Sequence, residues 1–301
     1  MSDPRHGGAR GDGTGPDGLL VIGKPGGATS HDAVDTIRRA LGTRKVGHAG
    51  TLDPMATGVL LVGVGRATRL LRFLADLPKT YEGTARLGVT TDTLDALGEI
   101  VATSAVEVGT AELDAAAAAL VGASMQRPPA YSAVKVGGRK LYEAARAGER
   151  LEADARPIHV ERFAVTRFEA PDIDFRVTCS SGTYVRVLLA DVGDRLGCGA
   201  HLTRLVRTRI GPFAIEDATP PDDPGAPLPM DRAVAHLPHL DLHPEEAIAA
   251  SHGRILGPAG IAGPYGVFAP GGRLIGIYTD EGTKARPEVI IAPADADRTP
   301  G

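Results

Sequence analysis

The stretch "GHAGTLDPMATGVL", residues 47–60, decides how the chain folds around its candidate site. Its second half is an apolar run typical of a buried strand, whereas its first half sets a histidine and an Asp-Pro pair among glycines. Proline disfavours helical backbone at the residue before it, and Gly47, Gly50 and Gly58 permit a tight loop. The pattern therefore predicts that Asp53 is displayed on a rigid turn, as a nucleophile, a general base, a metal ligand or a turn-stabilising cap.

The segments around this stretch predict an irregular mixture of strands and helices. An apolar strand begins at Gly18, and Ser30 is predicted to cap a helix that ends before Gly42. Further helices are predicted at 110–122, 139–148 and 185–196, and further strands at 59–65, 79–89, 175–179 and 201–213. The irregular order, with no GxGxxG opening a helix after the first strand, predicts an α+β fold rather than a doubly wound parallel sheet.

The composition divides the chain into three parts. The first 17 residues are rich in glycine and predict a flexible tail. Prolines at 218–230 interrupt regular structure, and the short strands beyond them predict a small β-rich unit. We therefore expect a tail at 1–17, a main domain at 18–240 and a second domain at 241–301.

Composition also limits the class of protein. The 301 residues are 43% hydrophobic, without an apolar run long enough for a bilayer or a secretory signal, and contain two cysteines. This favours a cytoplasmic protein in a reducing compartment. The net charge of −4 gives no global basic excess, but basic residues concentrate at 38–45, 66–72 and 204–209, which predicts a local basic face.

Four segments, "KPGGATSHDAV", the opening stretch, "KTYEGTARLGVTTDTLDALGE" and "SSGTYVRVLLADVGDRLGCGAHLTRLVRTRIGPF", resemble the motifs of the TruB family of bacterial tRNA pseudouridine synthases. The resemblance runs from about Gly18 to Phe213, and the G-x-LDP-x-A-TG block is specific. It implies a mixed, mainly antiparallel catalytic sheet followed by a small β-rich PUA-like RNA-binding domain. The chain is most similar to the short actinobacterial form of the family.

The resemblance also implies a reaction and a partner. The substrate would be uridine 55 in the T-loop of tRNA, whose base is detached from the ribose, rotated and rejoined through carbon 5. The implied nucleophile is Asp53, which could attack the anomeric carbon or the base ring, or promote loss of a ribose proton. No cofactor, metal or membrane is implied, and we expect a monomer that binds the T-arm.

Six further residues match motif positions of the family. The resemblance makes Arg186 the ion-pair partner that keeps Asp53 charged, and Tyr81 the ring that stacks on the flipped base and helps to remove the carbon 5 proton. His48 would occupy the space left by the extruded uridine. The remaining implied contacts are the apolar pocket walls Tyr184 and Leu205 and the basic residue Lys24, which would contact backbone or the active-site loop.

One residue departs from the family, and two other classes of function stay open. Gly23 stands where many members have an aspartate, which puts in doubt any pairing of that acid with Lys24. An RNA-folding chaperone would not need Asp53 for binding. A glycoside or nucleoside hydrolase would need a second carboxylate, for which Asp92 and Asp95 are candidates, although turn-capping is the better interpretation of both. As a further hypothesis, Arg204, Arg207 and Arg209 contribute to salt-sensitive RNA binding.

Overall fold

A computed structural model of the chain describes residues 16–291. The predicted tail therefore lies outside the described residues except for its last two positions, and so do residues 292–301 of the predicted second domain. The carboxylate of Asp17, at the end of the predicted tail, accepts a hydrogen bond from Arg66 Nε at 2.6 Å. This ion pair anchors the described residues near their start.

A nine-stranded sheet forms the centre of the molecule. Its strand order is β1-β3-β12-β4-β11-β10-β7, with β2 beside β3 and β13 beside β12. Neighbouring strands are antiparallel except β3 and β12, which are parallel. The strands of this sheet are β1 Gly18–Lys24, β2 Val46–Ala49, β3 Thr57–Val64, β4 Lys79–Leu87, β7 Gly122–Gln126, β10 Arg156–Glu169, β11 Asp172–Cys179, β12 Ala200–Ile210 and β13 Phe213–Ala214. Four further strands form two separate pairs, β5 Val89–Thr91 with β6 Ile100–Thr103 and β8 Lys135–Val136 with β9 Arg139–Lys140. The predicted α+β fold with a mixed, mainly antiparallel sheet is confirmed.

A second sheet has the order β14-β15-β16-β17 and follows the proline-rich segment. Its strands are β14 His239–Asp241, β15 Pro264–Ala269, β16 Arg273–Glu281 and β17 Lys284–Ile290. The α-helices of the chain are α1 Ser30–Leu41, α2 Leu71–Ala75, α3 Thr110–Ala118, α4 Leu141–Arg146, α5 Val185–Arg195 and α6 Pro244–Ser251. Within residues 16–291, none of these helices has the length and apolar character needed to cross a membrane.

The cap of α1 differs from the predicted one by a single residue. Thr29, not Ser30, accepts the backbone hydrogen bond of Asp32, and Asp32 returns one to Thr29, which makes a capping box. Gly42 ends the helix in the left-handed conformation, as predicted. The side chain of Ser30 is buried and contacts another segment of the chain instead.

Both faces of β1 and β3 are covered, which explains the continuous apolar run in the opening stretch. Leu60 and Val62 face a cluster that contains residues of α1, including Val34 and Ile37. Val59 and Leu61 face a cluster that includes Leu274, Ile277, Val289 and Ile291 of the second sheet and its end. The second sheet thus shares a buried cluster with the strand that follows Asp53.

Three arginines of the basic run at 66–72 bond to the last strand of the second sheet and to the residue after it. Arg66 Nη1 donates to the carbonyl of Ile291 at 2.8 Å, and Arg69 donates to the carbonyl of Ile290. Arg72 Nη2 pairs with Glu288 at 2.7 Å. These guanidinium groups are engaged by β17 and the residue after it, but Arg69 and Arg72 stay exposed, so a basic face at these positions stays a prediction.

Gly58 is the point where β3 starts against β12. Its φ is +105°, and a Cβ there would lie 2.2 Å from the carbonyl oxygen of Arg207. We expect Gly58→Ala to lower the free energy of unfolding by about 3–5 kcal/mol, from backbone strain plus the clash. Gly27→Ala is the control, since its φ is +80° with no atom within 4 Å of the added carbon. Equal losses in urea unfolding would contradict the close approach.

Candidate active site

Lys24 fastens the loop that carries Asp53 to the turn after β1. Its side chain is buried, and its Nζ donates to the carbonyls of Pro25 at 2.8 Å, Ala28 at 2.6 Å and Pro54 at 3.4 Å. The backbone N–H of Gly27 also donates to Pro54, at 2.9 Å. The contact of Lys24 with backbone and with the active-site loop, which the sequence predicts, is confirmed.

Ser30 fastens the same loop from the first turn of α1. Its Oγ accepts a hydrogen bond from the backbone N–H of Leu52 at 3.0 Å and lies 3.4 Å from the carbonyl of Leu52. A short hydroxyl side chain suits this position because it can both donate and accept. The residue before Asp53 is thereby tied to a helix.

Arg207 on β12 fastens the two sides of the loop. Its Nη2 donates to the carbonyl of Gly50 at 2.9 Å and its Nε to the carbonyl of Val59 at 2.7 Å. The side chain is 1% exposed, so the hypothesis that Arg207 contacts RNA together with Arg204 and Arg209 is wrong for Arg207. Arg204 and Arg209 are exposed on this strand, whereas Arg207 is turned inward. In a regular strand Arg207 and Arg209 would share a face, but the pairing of β12 with β4 shifts register between them, so their side chains lie on different sides.

Arg186, the second residue of α5, meets Asp53. Its Nε lies 2.9 Å from Oδ2 without the alignment of a hydrogen bond, so the two charges form an ion pair. Nη2 lies 3.4 Å from Oδ1. Arg186 is 3% exposed, whereas 36% of the Asp53 side chain is exposed, so the carboxylate reaches solvent and the guanidinium does not.

The remaining nitrogens of Arg186 are also engaged. Nη1 donates to the carbonyl of Thr93 at 2.7 Å and lies 3.6 Å from Oδ2 of Asp95, while Nη2 donates to the carbonyl of Tyr131 at 3.0 Å. A planar guanidinium can satisfy this many acceptors at fixed angles, which fixes its orientation toward Asp53.

Burial dominates the ionisation of Asp53. It raises the pKa of the carboxyl above its ordinary range, and the Arg186 charge opposes this while Asp95 reinforces it. The predicted role of Arg186 therefore has a measurable counterpart: without that charge the pKa would rise further, and the carboxylate would be lost at a higher pH.

Asp53 and Arg186 line a cleft of about 700 Å³. Asp92, Asp95 and Glu99 also line it. Asp92 accepts from the N–H of Glu99 at 2.9 Å, and Asp95 accepts from the hydroxyl of Thr93 at 2.7 Å and the N–H of Leu97 at 3.0 Å. The turn-capping interpretation of both residues is confirmed. Within residues 16–291, no His, Cys, Asp and Glu side chains cluster so as to hold a metal ion.

The other motif residues lie around Asp53 but do not line the cleft. Tyr81 and Leu205 belong to the buried cluster that contains Leu52, and burial raises the pKa of the Tyr81 hydroxyl. Tyr184 precedes α5, and the Arg156 guanidinium lies 4.9 Å from its ring centroid. The roles of these side chains toward a substrate stay predictions.

His48 lies on β2, half-buried beside His31. The two rings meet edge to face with centroids 5.5 Å apart. Burial, with the neighbouring His31 and Arg207 charges, lowers the pKa of His48, so its ring is neutral at neutral pH. These contacts do not test whether His48 occupies the space of an extruded base, which stays a prediction.

Sequence reasoning missed the contacts through which four residues shape the site. Their contacts join positions far apart in the chain to backbone groups, and a motif does not reveal a carbonyl as a partner. The signal was limited to residue type: arginine, serine, aspartate and glutamine at positions otherwise suited to apolar side chains. These residues are Ser30, Asp95, Gln126 and Arg207.

Three models of known protein families match successive parts of the chain. The family model described as TruB family pseudouridylate synthase (N terminal domain) matches residues 38–185. Models described as tRNA pseudouridylate synthase B C-terminal domain and tRNA Pseudouridine synthase II, C terminal, match residues 186–222 and 237–292.

Two actinobacterial relatives carry the name tRNA pseudouridine synthase B. The one from Thermobifida fusca is 47% identical over 289 residues, 92% of this chain and 99% of the relative. The one from Mycobacterium tuberculosis H37Rv is 46% identical over 291 residues, 93% of this chain and 97% of the relative. The resemblance to the actinobacterial form of the family is confirmed.

Two solved structures share the fold. A chain of a Cbf5-Nop10-Gar1 complex has a TM-score of 0.72 at 28% identity, covering 92% of this chain and 86% of that one. A chain of an H/ACA RNP bound to a substrate RNA containing 2′-deoxyuridine has a TM-score of 0.71 at 25% identity, with coverage of 92% and 86%. Sequence and fold together define the class as pseudouridylate synthases, which are isomerases. Within that class, the chain belongs to the TruB family.

The buried ammonium of Lys24 predicts a pH-dependent stability. Burial and the nearby Arg207 lower its pKa to about 8, from 10.5. Between these two values the unfolded chain binds more protons than the folded one, so this group makes the protein more stable as pH rises. Relative to Lys24→Met, the wild type should gain on the order of 2 kcal/mol in free energy of unfolding between about pH 7 and about pH 9.5.

Urea unfolding of both proteins at the two pH values measures this difference. Lys284→Met, which removes an exposed lysine, is the matched control. A difference between wild type and Lys24→Met that stays flat or falls as pH rises would contradict the burial of a charged Lys24.

Proposed function

We propose that the chain converts uridine 55 in the T-loop of tRNA to pseudouridine, with Asp53 as the nucleophile. One observation carries the proposal: a partly exposed carboxylate on a tightly fastened loop faces a cleft and is paired with a buried arginine. The name shared by the relatives, tRNA pseudouridine synthase B, supports tRNA as the substrate.

The reaction balances within one nucleotide. The bond between N1 and the ribose carbon C1′ breaks, a bond between C5 and C1′ forms, a proton leaves C5 and a proton is added at N1. The chain must therefore supply a nucleophilic or basic group and hold the detached base. Asp53 can act in the first role because its ion pair with Arg186 favours the charged form.

The target base has to leave its stack before it can react, because an enzyme cannot reach a base that is stacked inside folded RNA. In this proposal the base enters through the cleft beside Asp53 and passes beyond its lining residues, so that Tyr81 stacks on it and Tyr184 and Leu205 form apolar walls. His48, neutral at neutral pH, fills the space that the base leaves. Lys24 contributes by holding the loop through Pro54.

The raised pKa of Tyr81 bears on its second predicted role. A protonated phenol can stack on a base but cannot accept a proton from carbon 5 through a phenolate. Stacking is therefore the contribution that the buried hydroxyl supports at neutral pH, and we assign the proton transfer to no residue.

The RNA is proposed to bind through its T-arm to a monomer. The exposed guanidinium groups of Arg204 and Arg209 are available for phosphates. We propose the main body, predicted as 18–240, as the catalytic domain and the β-rich unit, predicted as 241–301, as a PUA-like RNA-binding domain. The match of a family-specific C-terminal model to residues 237–292 supports the second assignment.

The hydrolase alternative has no support from the cleft. A hydrolase needs a second carboxylate across the bond that breaks. Asp95 is 8% exposed, lies on the Arg186 side of the site and is occupied by Thr93 and Leu97. It is therefore placed to hold Arg186 and not to activate water.

The proposal is tested with purified protein and unmodified tRNA transcript. Wild type should form pseudouridine at position 55, located by mass spectrometry. Asp53→Asn should lower the rate by at least about 1,000-fold, because the amide is a poor nucleophile, while it still binds tRNA. Binding without product from either protein would instead support a chaperone, and release of free uracil would support a hydrolase.

The pH dependence of the rate gives an independent prediction. If the Asp53 carboxylate is the reacting form, the rate falls as pH decreases through its raised pKa. Arg186→Lys keeps a charge but loses the fixed fork, so we expect the acid limb of the rate profile to move to higher pH. Single-turnover rates across the pH range measure this. An unchanged or lower midpoint would contradict the electrostatic role of Arg186.

A further inference from the structure

Gln126 ends the edge strand β7 beside the first turn of α5. We propose that Gln126 is a positioning residue for the isomerisation: its buried amide fixes the peptide of Tyr184 and thereby orients Arg186 against Asp53. The catalytic part of this inference rests on the proposed function, whereas the orientation of Arg186 can be tested without substrate.

The contact between Gln126 and Tyr184 is reciprocal. The Nε2 of Gln126 donates to the carbonyl of Tyr184 at 3.1 Å, and the backbone N–H of Tyr184 donates to Oε1 at 2.8 Å. Gln126 is 4% exposed. Because a buried amide is costly unless both ends are paired, this arrangement holds the two peptide groups that flank the Cα of Tyr184 in one orientation.

The start of α5 needs such a partner. Tyr184 is the N-terminal cap residue and makes no hydrogen bond of its own side chain to the helix. Its carbonyl already accepts from the N–H groups of Val187 at 3.1 Å and Leu188 at 3.2 Å. A side chain that pairs with both the N–H and the C=O of Tyr184 needs a donor and an acceptor, and the glutamine amide has both, with the reach that β7 requires.

A displacement of this turn acts on Arg186 directly. Arg186 lies two residues after Tyr184, and its guanidinium is held by carbonyls from two other segments, those of Thr93 and Tyr131. Since these acceptors do not move with α5, a tilt of the first turn changes how the guanidinium meets Asp53. Misplacements of about 1 Å at reacting groups cost up to about 100-fold in rate.

Gln126 also stands where the segment that carries Tyr131 leaves the sheet. The next residue, Arg127, donates to the carbonyl of Ala153 at 2.8 Å, which joins the two ends of this segment. Tyr131 lines the cleft and supplies one of the carbonyls that hold Arg186. Gln126 is therefore connected to Arg186 by two routes. One runs through Tyr184 and the first turn of α5, and the other runs along the chain to the carbonyl of Tyr131.

The test compares Gln126→Met, which keeps the length of the side chain and removes both hydrogen bonds, with Val192→Ala. Val192 is fully buried on the other end of α5 and outside the proposed site, so its truncation destabilises the same helix without touching the Tyr184 peptide. We expect Gln126→Met to lower kcat by about 10-fold to 100-fold with KM for tRNA within about twofold, and Val192→Ala to leave both near wild type.

The second readout is the pKa of Asp53 in the free protein, from carboxyl-carbon NMR of aspartate-labelled samples, with Asp53→Asn identifying the signal. The charged groups that face Asp53 are Arg186, Asp95 and Lys24. We expect Gln126→Met to raise this pKa by at least about half a unit, since a displaced Arg186 no longer opposes burial, and Val192→Ala to leave it unchanged. If Gln126→Met does not fold, Gln126→Asn, which withdraws the amide by one methylene, is measured instead.

Each outcome decides the matter. A slower kcat with a raised Asp53 pKa supports the proposal, whereas an unchanged pKa overturns it, whatever the rate. A variant that behaves as Val192→Ala in both measurements overturns it as well. If wild type itself forms no pseudouridine, the proposed function has failed, and the NMR titration alone then decides whether Gln126 orients Arg186.

Discussion

Two buried cations, Lys24 and Arg207, take up the backbone carbonyls of the loop that carries Asp53. The seven-residue loop at 50–56 would otherwise sample many conformations, and contacts have to offset the entropy lost when it is fixed. Here the donors come from β1 and β12, with Ser30 of α1 added. The carboxylate is placed by main-chain hydrogen bonds on both sides of it, so its position depends little on its own side-chain contacts.

This arrangement places positive charges around the partly exposed carboxylate of Asp53. Burial and the nearby Arg207 lower the pKa of both Lys24 and Lys79 to about 8, so each ammonium is held at a cost in stability. Asp53 is subject to two opposed effects, because burial raises its pKa while Arg186 lowers it. Sites of this kind give up stability to keep a group reactive. Asp95 also pairs with Arg186. Without it, Asp53 would be the only carboxylate close to that guanidinium.

Much of the fold follows from local patterns in the sequence. The apolar strand before Asp53, the glycine end of α1 and the alternating strand at 200–210 were all predictable, because each depends on residues adjacent in the chain. The residues of the site were predictable only through the family motifs. The Arg186 pairing with Asp53 spans 133 positions, and no periodicity contains it.

The errors have a common physical origin. The cap of α1 was placed on Ser30 because serine and threonine are both good caps, and only the burial of Ser30 against Leu52 separates them. A charged side chain is expected to face solvent, which is why Arg207 is expected to contact RNA together with Arg204 and Arg209. Backbone carbonyls at strand ends and in loops bind guanidinium groups equally well, and their locations appear only once the chain is folded.

The buried cluster that the second sheet shares with β3 gives that unit a structural part in the site, separate from any contact with RNA. Val59 and Leu61 follow Asp53 by a few residues, and they belong to the same cluster as Leu274, Ile277 and Val289. Loss of the second sheet would expose part of this cluster to water and weaken the burial of the strand that anchors the end of the loop. Arg66, Arg69 and Arg72 hold the second sheet in place through β17. The order of the loop around Asp53 therefore depends on residues more than 200 positions away, which is why a motif search finds the acid but not what keeps it in place.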